Sequence, residues 1–91
     1  MPYFIIERNF AEAITPSVEA ANGLNLINDE EDVRWLFSFL SVDAHRTYCL
    51  YEAPSMEAIL AAAARAGLPA DVVVEVTGRI MPTGLMASAA P

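Results

Sequence analysis

Ninety-one residues, 55% of them hydrophobic and 19% charged, make one domain and leave no material for a second core. Five arginines and no lysine face twelve acids, so the chain carries −7 and lacks the basic footprint that nucleic acid or an anionic bilayer requires. The single cysteine, Cys49, excludes an internal disulfide and any multi-cysteine metal knot.

Tyr3 to Arg8 (YFIIER) is rich in β-branched and aromatic residues and reads as the first strand. Thr15-Pro16 has the form of an N-cap followed by a first-turn proline, and Ile14, Val18, Ala21 and Leu24 then recur at helical spacing. The acidic run Asp29-Glu30-Glu31-Asp32 reads as a solvated connection. Val33 to Ser41 and His45 to Glu52 are two short runs separated by Val42-Asp43-Ala44, the pattern of a β-hairpin. The second helix is the most sharply marked element. Ser55 caps it, Glu57 sits in its first turn, Met56, Ile59, Leu60 and Ala63 form one stripe, Gly67 ends it, and Pro69 forbids continuation. Val72 to Arg79 is the fourth strand. The expected division is a domain over 1–80 and a flexible tail over 81–91, rich in Met, Pro, Gly, Ala and Ser.

The order β-α-β-β-α-β is the split βαβ pattern of an α+β, ferredoxin-like sandwich. Two helices cover one face of such a sheet and leave the other to be covered by something else. The apolar content exceeds what a chain of this length easily hides, so a second copy is expected to stack on that face, giving a homodimeric α/β barrel. No basic leader followed by an apolar run precedes the first strand, and no apolar stretch approaches membrane-spanning length. A cytoplasmic location is the default expectation.

Pairing Ser41 with His45 sets Arg34 opposite Glu52, Leu36 opposite Leu50 and Ser38 opposite Tyr48 on one face. Trp35 with Tyr51, Phe37 with Cys49 and Phe39 with Thr47 then fall on the helix-covered face. Arg34, Ser38, Tyr48 and Glu52 are therefore the candidate ligand-binding residues. With strands one and three central and parallel, Glu7 and Glu52 would lie near one end of the sheet, joined there by Glu75. Glu7, Glu52 and Glu75 beside Arg34 would suit a hard divalent cation, or a general base held by the arginine. The same groups would serve equally as a rim of solvated ion pairs. His45 falls at the hairpin turn and Cys49 faces the core, where a thiol is inert.

The segments W-L-F-S-F-L-S (Trp35 to Ser41), T-Y-C-L-Y-E-A-P-S-M-E-A-I (Thr47 to Ile59) and A-G-L-P-A-D-V-V-V-E-V (Ala66 to Val76), with the opening Y-F-I-I-E-R, resemble the small nickel-binding-protein-like family over most of the chain. The resemblance implies a ferredoxin-like fold, a dimer and, in some members, bound nickel or another divalent metal. Where relatives carry a histidine in the second strand this chain has Phe37, and nickel favours imidazole, of which this chain has one. The leading expectation is a dimeric binding module for a small ligand or cation. The alternative is a cofactor-free dimeric α/β-barrel enzyme of monooxygenase or isomerase type, working through Tyr48, Ser38, Arg34 and Glu52.

Overall fold

The computed structural model describes residues 1–90; Pro91, the last residue of the expected tail, lies outside them. Strand β1 (Tyr3–Asn9) leads into helix α1 (Val18–Glu30), the hairpin β2 (Arg34–Leu40) and β3 (Arg46–Glu52), helix α2 (Met56–Ala66) and strand β4 (Val72–Val76). Two short strands follow, β5 (Arg79–Ile80) and β6 (Met86–Ala87), paired only with each other. The main sheet has the order β2-β3-β1-β4 with every neighbour antiparallel, which fits a ferredoxin-like α+β sandwich.

Local chemistry explains the ends of the elements. Ser17, rather than Thr15, caps α1: its backbone is extended and its hydroxyl accepts from Ala20 N at 3.1 Å, leaving Pro16 just outside the helix. The acidic run is not a loop throughout. Asp29 and Glu30 are helical, and Arg65 on α2 reaches Glu30 at 2.9 Å and Glu31 at 3.1 Å. Both ion pairs are exposed, so they orient the helices more than they stabilise them. Helix α2 begins where Ser55 accepts from Ala58 N and ends at Gly67, whose φ of 68° is the left-handed conformation that glycine adopts without penalty. Leu68 N closes that end on Ala63 O at 2.9 Å.

The core lies between the sheet and the helices. Phe4, Ile6, Cys49 and Tyr51 from β1 and β3 pack with Val33, Ala53, Ile59 and Ala62. Burying the larger of these, Phe4, Ile6, Val33 and Ile59, stabilises by about 1.5–3 kcal/mol each, which is how a domain this small holds together. Strands β1 and β3 are antiparallel, correcting the parallel expectation. The reason is topological: α1 returns the chain so that β2 runs with β1, and β3, reversed by the hairpin and inserted between them, opposes both.

The hairpin register also differs from the expected one. Arg34 faces Glu52 and Trp35 faces Tyr51 as expected, but a bulge at Leu36 shifts the ladder, so that Phe37 faces Leu50, Ser38 faces Cys49 and Phe39 faces Tyr48. One inserted residue exchanges the faces of everything after it. Phe37 and Phe39 therefore leave the core face and meet edge to face on the open side, with ring centroids 5.4 Å apart. Among the described residues, no helix is long and apolar enough to cross a membrane.

Candidate functional site

The carboxylate cluster expected from the sequence does not form. Glu52 sits opposite Tyr3 and Glu7 opposite Tyr48, four positions along β1, which separates the two by roughly 13 Å at strand rise. Glu75 faces Phe4 and so belongs to the helix-side phase of the sheet, not to the face that carries Glu52. Glu7, Glu52 and Glu75 cannot share a metal ion within one subunit. Among the described residues, no three His, Cys, Asp or Glu side chains gather closely enough to do so.

The ligand-binding set divides similarly. Arg34 and Glu52 do meet, at 2.9 Å, in a pair whose arginine is largely solvated. Tyr48 lies at the far end of the open face, where its hydroxyl accepts from Arg46 at 3.4 Å. Ser38 is on the opposite side, because the Leu36 bulge turned it toward the helices. His45 points Nδ1 at Phe10 O, 3.0 Å away, beside Asp43. Hydrogen bonds from the Ser41 hydroxyl and the His45 backbone hold the Asp43 carboxyl below its ordinary pKa.

A different site emerges on the helix side. Between the start of α1 and the strands β1, β2 and β3 lies a cavity of about 360 Å³, within the usual size range of small-molecule sites. Small residues at Ala20 and Ala21 on α1 leave the space open, and Phe10, Ile14, Leu24 and Trp35 give it an apolar wall. Its polar groups come from the sheet. The Trp35 indole donates to Ser38 Oγ at 2.8 Å, a contact between residues three apart that share a face only because of the bulge. Thr47 and Tyr51 lie beside them. Burial pushes the Tyr51 hydroxyl above its ordinary pKa, with Arg8 opposing the shift, so Tyr51 stays protonated while its oxygen accepts from Arg8.

Arg8 is the unusual member. It is only 4% exposed, donates to Pro69 O at 2.5 Å and to Tyr51 Oη at 3.4 Å, and holds its guanidinium carbon 5.6 Å from the Tyr51 ring centre. The ion pairs among the described residues join Arg34, Arg65 and their carboxylates; none involves Arg8. The sequence did contain a signal for it. Phe4, Ile6 and Arg8 alternate on one face of β1, so a charged residue occupies the phase of two core residues.

Residues 4–76, from β1 to the end of β4, match the model of the family described as nickel responsive protein SCO4226-like. Among solved structures, the crystal structure of SCO4226 from Streptomyces coelicolor A3(2) superposes with a TM-score of 0.71 at 28% identity, covering 81% of this chain and 94% of that one. A search of the curated proteins returns no match.

Proposed function

The chain belongs to the SCO4226-like family of nickel-responsive proteins, and on that premise we propose that it is a noncatalytic binding module: a homodimer joined through the open sheet face, taking a small molecule into the cavity beneath α1. The carrying observation is the cavity itself, about 360 Å³ with apolar walls and a few buried polar groups along one side. Its lining contains no carboxylate and no imidazole. General acid–base chemistry lacks its usual agents there, and Tyr51, its pKa raised by burial, stays protonated and is unavailable as a base. This favours binding over the enzymatic alternative.

The family name speaks of nickel. The donors of one subunit of this chain do not fit that ion: one imidazole already turned to a backbone carbonyl, one buried thiol facing the core, and carboxylates spread along the sheet. The reading therefore places an organic ligand, not a metal, in the site.

Two features support the dimer. The open face exposes Ile5, Phe39, Tyr48, Val72 and Val74, a contiguous apolar set on neighbouring strands. The chain also exposes 5812 Å², about 650 Å² more than the size scaling gives for a compact monomer of its mass. That surplus is comparable to the ~800 Å² each partner contributes to a standard interface. Ile80, Leu85 and Met86 of the β5–β6 hairpin add to the exposed apolar area.

Titration with 1-octanol, followed by the fluorescence of Trp35 (the single tryptophan, set in the cavity wall), tests the site. A saturable change in wild type that Ala21→Phe abolishes is expected. A flat titration in wild type dismisses the cavity as a binding site.

A further inference from the structure

We infer that the cavity beneath α1 is selective for an organic monocarboxylate, whose carboxylate pairs with the buried guanidinium of Arg8 while its apolar body fills the space against Trp35, Ile14 and Leu24. The inference rests on the cavity being the ligand site and adds the chemistry of what enters it.

Arg8 begins the argument. A guanidinium carries five N–H donors in a planar fork and cannot shed its charge. At 4% exposure it has lost nearly all its water, and buried charges are ordinarily matched by an opposite one. Here the carbonyl of Pro69, the long contact to Tyr51 Oη and the Tyr51 ring are what it has instead. Those partners hold the fork in place but leave its charge unneutralised. The carboxylates that pair with arginine in this chain, Glu30, Glu31 and Glu52, pair elsewhere.

The cavity supplies the rest. A carboxylate entering it could accept two parallel hydrogen bonds from Arg8, the geometry in which arginine recognition is strongest. One buried positive charge matches a monoanion. A phosphate monoester, nearly a dianion at neutral pH, would bring a second negative charge into an apolar wall with nothing to balance it. At about 30 Å³ per liquid water, the space accepts roughly a dozen non-hydrogen atoms, so the ligand is a medium-length fatty acid or an aromatic acid rather than acetate or a long lipid. The lining that would face its tail is Phe10, Ile14, Leu24 and Trp35.

The test compares octanoate with 1-octanol on the same protein at pH 7, where the acid is ionised. Calorimetry and Trp35 fluorescence report both ligands. Octanoate is expected to bind wild type at least about tenfold more tightly than octanol, the difference of one charge-assisted pair. Arg8→Met keeps the length and apolar character of the side chain and removes the charge. It is expected to erase the octanoate preference while octanol still binds, which also certifies that the variant is folded. Equal affinity for the two ligands in wild type overturns the carboxylate assignment and leaves the cavity as a neutral site. Octanoate preference persisting in Arg8→Met overturns the role of Arg8. Failure of octanol as well removes the binding reading on which the inference stands.

Discussion

Val74→Arg is the sharpest perturbation of the open face. Val74 lies on edge strand β4 opposite Ile5, half exposed in the single subunit at 49%. Full burial of a valine stabilises by about 1.5–3 kcal/mol, so covering its exposed half contributes about 1 kcal/mol per copy. An arginine there loses that contribution and places an unpaired charge beside Ile5 and Val72, at a further cost of about 1–3 kcal/mol. In a twofold interface each change occurs twice. The dimer should therefore weaken by at least about 4 kcal/mol, a Kd raised about a thousandfold. Sedimentation velocity between micromolar and hundred-micromolar protein reads this directly: wild type should run at twice its 9.8 kDa, and Val74→Arg as a monomer. Leu60→Arg, the same charge change on the exposed flank of α2, controls for net charge and should leave the dimer intact. A monomeric wild type, or a Val74→Arg variant still dimeric at the lowest concentration, would falsify the assignment of this face.

Ile59, fully buried where α2 meets β1 and β3, anchors the core; Ile59→Ala should cost about 2–5 kcal/mol and lower the Tm by roughly 10 °C or more. A loss under a few degrees in a thermal melt would show that the α2 packing is misjudged. Asp43 makes the hairpin turn sensitive to acid. Its folded pKa lies below the ordinary 3.8, so its contribution is complete above that value and fades as the pH falls through the depressed one. Wild type should be the more stable of the pair with Asp43→Asn at pH 6, and the difference should shrink as the pH is taken below 3.8. A gap independent of pH would mean that the carboxylate's charge plays no part in the turn.

Much of the fold was legible because its signals were local. Ser55, Gly67 and Pro69 bracket α2 by their own backbone preferences, and the hairpin followed from two apolar runs around a short polar turn. The Arg34–Glu52 pair follows from two offsets that cancel: the turn closes Ser41 on Arg46 rather than on His45, and the bulge at Leu36 takes up the extra residue. The bulge itself carried no mark. Leu36 is neither glycine nor proline, and nothing in W-L-F-S-F says which residue is extra. The carboxylate site failed through a non-local fact, the opposed directions of β1 and β3, which placed Glu7 and Glu52 at opposite ends. Arg8 alternates with Phe4 and Ile6, but an arginine near the end of a strand is ordinarily solvated, so alternation alone does not mark it as buried.

These differences converge on one residue. Without the Leu36 insertion, Phe37 and Phe39 would fall on the helix side and Ser38 on the open side, as simple alternation requires. With it, two aromatic rings move to the uncovered face and a hydroxyl moves into the cavity, where it accepts a hydrogen bond from the Trp35 indole at 2.8 Å. Two bulky rings kept on the helix side would compete for the space that Ala20 and Ala21 leave open beneath α1. The same irregularity therefore enlarges the apolar surface offered to a second subunit and preserves the room for a ligand behind it. That is a physical reason for a bulge to persist in the middle of an edge strand, where it interrupts the ladder to β3 and gains nothing in hydrogen bonding.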